Sequence, residues 1–229
     1  MTKVLVMSVY ALARVTLALA VLAMACGGPS APAQPAATTP AAPSATGTPA
    51  PGAWVVTDRS KATVRVREQL VSLPAPSDAV LVATGAKGAF VLNDDGTFGA
   101  DSRISFDLAS LTSDQRDRDN TVKRDPLEVT RFPRAELVPT KATGLALPLP
   151  ASGEFTFKLT GKMTVHGATK EVTFDVVAKR SGSDLQATAT ANPTWKFADF
   201  GMSPPSSPLR VVSVVDEIKL VVELVAART

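Results

Sequence analysis

Cysteine, histidine and tyrosine each occur once in this 229-residue chain, and aromatic residues make up only 5% of it. A lone cysteine excludes an intramolecular disulfide. One cysteine and one histidine cannot assemble a zinc site of the usual kind. Any engine that pairs a nucleophile with histidine would have to use His166, the sole imidazole. Net charge is small too. The formal balance of +3 is too small to mark a nucleic-acid binder. What the chain does have is apolar content, 45% hydrophobic against 20% charged residues, which is a globular composition. No metal, no cofactor and no catalytic residue are expected.

The first 25 residues read as an export signal. Met1–Arg14 carries Lys3 and Arg14 and no acid. Val15–Ala25 is then an unbroken apolar or small run of about eleven residues, the length of a signal-peptide core and short of the roughly 20 that span a bilayer. Running it back to Val4 would leave Arg14 in mid-membrane, which is costly. The next residue is the only cysteine. Leu22-Ala23-Met24-Ala25-Cys26-Gly27 resembles a bacterial lipobox, in which cleavage frees a cysteine whose thiol takes a diacylglycerol. Such boxes usually have leucine where Ala23 stands. Ala23-Met24-Ala25 also reads as an ordinary signal-peptidase site, giving a secreted soluble product. A lipid on Cys26 is the favoured reading, because it gives the lone cysteine a task. Residues 26–53 form the tether. Gly27–Ala53 has seven prolines and no charge, so it has almost nothing to bury and is expected to be a disordered, partly polyproline spacer. Loss of Lys3 and Arg14 with the leader removes two positive charges, so the basic pI says little about partners.

Residues 54–229 form one domain of comfortable size. Its dominant period is two. Phe155, Phe157, Leu159, Met163 and Val165 alternate with polar neighbours, as do Val172, Phe174, Val176 and Ala178, and later Ile218, Leu220, Val222 and Leu224. Each such strand shows one face to water, as in an antiparallel sheet. Weaker strands are legible at Val55–Val66, Ala79–Leu92, Phe98–Leu108, Ala135–Thr140 and Leu185–Trp195. Eight strands with little helix make an all-β sandwich or closed barrel. One helix interrupts them. Ser113 is its expected N-cap, Asp114 opens its first turn, and Pro126 stops it. Asp114–Arg118 and Asp119–Lys123 are i,i+4 pairs in the favourable order, and the charge cluster around them reads as a solvated helix face.

Several of these residues carry a resemblance. The hairpin Gly161-Lys162-Met163-Thr164-Val165-His166-Gly167-Ala168-Thr169-Lys170 resembles the signature of the YceI-like family. Its companions follow in the family's order: Trp54 with Asp58, Gly88-Ala89-Phe90 before Asp95-Gly96, Ser110-Leu111-Thr112, Arg118-Asp119-Asn120, Phe132-Pro133, Phe200-Gly201 and Val215-Asp216-Glu217-Ile218. The similarity runs from Trp54 to Val225. Departures are Arg59-Ser60 where many members have His-Ser, Pro126-Leu127-Glu128-Val129 in place of Asp-Phe-Phe-Asp, and an extended first connection at Leu73–Asp78. The resemblance implies an eight-stranded antiparallel lipocalin-like barrel that holds a long apolar molecule, a polyisoprenoid or quinone-type lipid. It implies no agreed catalytic residue, and many family members are exported.

Side-chain volume decides whether such a barrel is hollow. Leu185, Ala187, Ala189 and Ala191 share one face of one strand, and three of these four are alanine. A wall of alanine leaves room, with Phe155, Phe157 and Phe174 as flat apolar surfaces opposite. The other reading is that these alanines let the helix or a neighbouring strand pack close. His166, before Gly167, reads as a turn residue at the rim. Met202–Pro208 is a rigid loop, either a lid or a plain crossover, with Trp195 and Phe200 flanking it as plug or gate. The expectation is therefore a cell-envelope protein with an apolar isoprenoid-like ligand. Phe155, Phe157, Phe174, Ala187 and Ala189 would lie on the wall, Cys26 would anchor the chain to the membrane, and nucleic acid has no part. A ligand-free interaction or stress-related barrel is the alternative. Monomer and homodimer both stay open.

Overall fold

The computed structural model describes residues 52–206 and 210–229. The export signal, Cys26 and nearly all of the tether lie outside the described residues.

Ten strand segments make one antiparallel sheet that closes on itself. They are β1 (Trp54–Val56), β2 (Lys61–Leu70), β3 (Ser77–Ala83), β4 (Lys87–Phe90), β5 (Arg103–Asp107), β6 (Arg134–Thr143), β7 (Ser152–Val165), β8 (Ala168–Ser181), β9 (Asp184–Ala191) and β10 (Val211–Arg228). Ten segments make eight staves because two pairs run end to end. β1 and β2 share one edge of β10: β2 pairs with its first part, Val211 to Glu223, and β1 with its last, Ala226 to Arg228. β3 and β4 in turn flank β2 and β1. From β4 the order runs through β5, β6, β7, β8 and β9 to β10, and β10 meets β1 and β2. The barrel is thus an eight-stranded antiparallel meander, as the alternation and the resemblance anticipate. Among the described residues only β3 keeps a partly open edge: its ladder is with β2 alone, and its outer side has the single bridge from Val82 to Thr112.

The break between β1 and β2 is stitched, not frayed. Ser60 is 1% exposed. Its hydroxyl donates to the Val225 carbonyl at 3.1 Å and accepts from the Val225 N–H at 2.9 Å. The Thr57 N–H donates to that same carbonyl at 2.8 Å. The Ser60 side chain therefore supplies the acceptor that the backbone does not offer the Val225 N–H, while the Val225 carbonyl keeps a backbone donor in Thr57. Gly88 has a local reason as well. Its φ is +129°, and an added Cβ would collide with the Arg103 carbonyl on β5.

The helix, α1, spans Arg116–Arg124, two residues later than an N-cap at Ser113 would place it. Ser113 is engaged elsewhere. Its N–H and hydroxyl both donate to the Asp119 carboxylate, at 2.8 and 2.6 Å, and its oxygen accepts from the Gln115 N–H. Asp119 is buried for this purpose, so it forms no i,i+4 pair with Lys123, whose ammonium donates to the Ala109 carbonyl instead. Asp114 does pair with Arg118, as the sequence suggests. Pro126 comes just after the C-cap Asp125, in accord with its role as a stop.

Candidate functional site

The inward faces of the staves enclose a cavity of about 240 Å³. Its lining is apolar except at two residues, Glu68 and Arg118. An apolar cavity of about 150 Å³ already stays dry and takes a benzene-sized guest, so this one has room for a substantial piece of hydrocarbon.

Register explains where the space comes from. Phe157, Val176, Ala189 and Val222 form one row across four staves, and β2 continues it with Ala62 and β3 with Ala83. The neighbouring row is Phe155, Ala178, Ala187 and Leu224. Period-two alternation turns all of these inward. Alanine therefore recurs on four staves, not on β9 alone. Phe155, Phe157, Phe174, Ala187 and Ala189, the residues singled out in the sequence, all line the cavity. Phe174 is almost completely buried, whereas Phe155, Phe157, Ala187 and Ala189 are partly exposed. Ala191 differs from its strand neighbours. It is buried in the core and does not reach the cavity.

Each end of the cavity has its own closure. At one end Trp54 stacks near Phe90 at 6.5 Å, and Phe90 meets Phe98 edge-on at 6.1 Å. The guanidinium of Arg180 lies 5.2 Å from the Trp54 ring. The same guanidinium donates to the carbonyls of Leu149, Pro150 and Gly182, so a buried arginine clamps the β6–β7 connection over this end. Leu145 and Leu149 of that connection face the cavity.

At the other end Trp195 packs between Phe174 and Phe200, at 5.9 and 5.2 Å. Phe200 is 1% exposed, so this trio is a fixed wall of the core. The hairpin turn between β7 and β8 lies here. His166 and Gly167 have φ of +52° and +75°, so both central residues are left-handed, as a two-residue turn that matches the strand twist requires. The imidazole is held in place, with Nε2 3.0 Å from the Glu128 carboxylate and Nδ1 3.3 Å from the Phe200 carbonyl. The described part of the proline-rich loop contributes Met202 and Pro205 to the lining.

Helix α1 completes this end and carries a feature that the sequence reading missed. Arg118 turns inward and donates to Glu68 on β2 at 2.6 Å, and the two side chains are only 12% and 8% exposed. Arg118 also engages Asp114 and, at 3.4 Å, the Ser113 hydroxyl. The expectation of a wholly solvated charged face is corrected to this extent. The available signal was spacing: Arg118, Val122 and Pro126 stand at i, i+4 and i+8, and all three line the cavity. Among the described residues no group of three or more His, Cys, Asp or Glu side chains is placed to hold a metal ion.

A model of the YceI-like domain matches residues 55–226. A UPF0312 protein of Pseudomonas putida strain GB-1 is 35% identical over 126 residues, 49% of this chain and 62% of that one. A UPF0312 protein of Pseudomonas fluorescens strain SBW25 is 33% identical over 133 residues, 52% of this chain and 66% of that one. The chain thus spans less than two thirds of the length of these curated relatives. Among solved structures, a polyisoprenoid-binding domain from Saccharophagus degradans implicated in plant cell wall breakdown aligns with a TM-score of 0.59 at 11% identity, over 79% of this chain and all of that one. BcnA of Burkholderia cenocepacia aligns at 0.51 and 18% identity, over 73% and 96% of the two chains. At these identities the structural likeness establishes the shared barrel fold.

Proposed function

The chain belongs to the YceI-like domain family, and from that premise we propose that its barrel holds an apolar lipid chain of the isoprenoid class, a polyisoprenoid or a quinone-type tail. The observation that carries this reading is the apolar cavity of about 240 Å³ lined by the inward faces of the barrel. The name of the Saccharophagus domain, a polyisoprenoid binder, supports the same ligand class. Phe155, Phe157, Phe174, Ala187 and Ala189 contact the tail. Burial of apolar surface, at about 25 cal/mol per Å² before ordering costs, drives its entry. Affinity then rises with each five-carbon unit until the cavity is full.

The protein acts at the cell envelope, exported by residues 1–25 and anchored through a lipid on Cys26, with residues 26–53 as the tether. The lone cysteine ahead of an uncharged, proline-rich stretch supports this placement.

The test is a solvent extract of purified protein, examined by mass spectrometry. An isoprenoid lipid in stoichiometric amount is the expected result. Extracts free of lipid, together with no uptake of added polyprenols, would mean a barrel that serves as a ligand-free interaction module.

A further inference from the structure

The Glu68–Arg118 pair stands where two cavities of different character meet. On one side is the apolar interior, and on the other a recess of about 370 Å³ lined by polar and apolar residues together. Glu68 and Arg118 line both, as do Val122, Pro205 and Val214. Gln115, Asn120 and Thr121 of the helix region add neutral hydrogen-bonding groups to the recess. A lipid tail lying in the barrel with its tip toward Trp54 would bring its polar end to this pair.

The charges around the recess are already matched. Arg118 engages Glu68 and Asp114, Arg210 engages Asp117 at 2.5 Å, and Arg124 engages Asp125 at 2.7 Å. A phosphate or diphosphate at the mouth would set its negative charge beside the Glu68 carboxylate, while every arginine lining the recess already engages a carboxylate. A hydroxyl meets the opposite situation. It can donate to the carboxylate and accept from the guanidinium, and hydrogen bonds to charged partners are the strong ones.

Building on the proposed carrier role, we propose that Glu68 and Arg118 form the head-group site of this barrel and select an uncharged, hydroxyl-bearing terminus, an alcohol or a phenol, over a phosphorylated one. Glu68 accepts the hydroxyl proton, and Arg118 donates to the hydroxyl oxygen. The pair thereby fixes the direction of the tail as well as the class of the head.

The experiment compares three probes of equal tail length on the full chain: a polyprenol, the matching polyprenyl monophosphate, and a head-less polyprene hydrocarbon. Each competes against a fluorescent apolar probe. The alcohol is expected to bind about tenfold more tightly than either of the others. Equal affinity for all three, or a preference for the phosphate, overturns the assignment. Failure of all three to bind overturns the carrier role itself and the head-group site with it. Glu68→Gln removes one negative charge and should reverse the order, so that the phosphate outcompetes the alcohol. That variant leaves Arg118 without its buried counter-ion and is at risk of misfolding. The double variant Glu68→Leu, Arg118→Met replaces the pair with apolar volume and guards against this. It should keep affinity for the hydrocarbon and lose the preference for the alcohol. Persistence of that preference in the folded double variant would also overturn the proposal.

Discussion

Ala189 and Ala191 stand two residues apart on the same inward face of β9, yet Ala189 faces the cavity and Ala191 is buried in packed core. The contrast supplies an internal control for the cavity. Ala189→Phe should place its ring in empty space, costing less than about 1 kcal/mol of stability while abolishing uptake of a polyprenol. Ala191→Phe has no such space and should overpack, costing about 1–3 kcal/mol. Denaturant unfolding of both variants, with lipid binding measured alongside, checks the pair. Equal, large losses of stability would mean that the space at Ala189 is filled in solution.

Ser60 makes a second prediction. Its buried hydroxyl completes the ladder at Val225, so Ser60→Ala strands the Val225 N–H without that partner. The expected loss is about 1–3 kcal/mol, read as a lower midpoint at unchanged slope in urea. Ser60→Thr keeps the hydroxyl and isolates the hydrogen bond from the volume.

Asp199 gives a pH dependence. The Lys170 ammonium and then the Lys196 N–H hydrogen-bond to its carboxylate and hold its pKa below the usual value, with burial opposing them. A carboxyl whose pKa is lowered by folding adds stability above its unfolded pKa of about 3.9 and loses that contribution as pH falls through the folded value. The wild type should therefore exceed Asp199→Asn in Tm at about pH 6, and the gap should shrink below about pH 4. A gap that is constant across that range contradicts the linkage.

Truncation tests where the domain starts. A chain beginning at Pro51 retains Trp54–Val56 and the bond from Arg228 to the Gly52 carbonyl, and it should unfold at the same temperature as the chain without its leader. Beginning at Asp58 removes β1 together with the stacked Trp54 and should lower Tm by many degrees. In cells, Cys26→Ser should release the protein from membranes or leave its precursor uncleaved. Wild-type protein in the soluble extracellular fraction with a free thiol would refute the lipid anchor.

Local patterns carried most of the fold. Alternation is written into each strand, so eight staves were legible, including the two that the structure divides at Ser60 and near Gly85. The helix start was misplaced because a serine before an acidic run satisfies two geometries. Only the burial of Asp119 decides that Ser113 bonds to it instead of capping α1. The cavity was half legible. Three alanines on β9 announce themselves, and two of them, Ala187 and Ala189, line the cavity, whereas Ala62, Ala83 and Ala178 are isolated in the sequence and join them only through register. The Glu68–Arg118 pair lay beyond reach, since its members are 50 residues apart and each has closer opposite charges in the chain.

The seam at β10 ties the existence of the cavity to the meeting of distant chain segments. Ser60 and Thr57 reach Val225 across 165 and 168 residues, among the most remote contacts a chain of this length can make. Until β10 lies between β9 and the β1–β2 stave, the inner rows have no closed wall and a tail has nothing to enter. Hollow space and ring closure thus form in one event, and such long-range pairing makes it slow. A bound lipid stabilises the closed ring alone and should act as a pin through the seam, slowing its opening in proportion to occupancy.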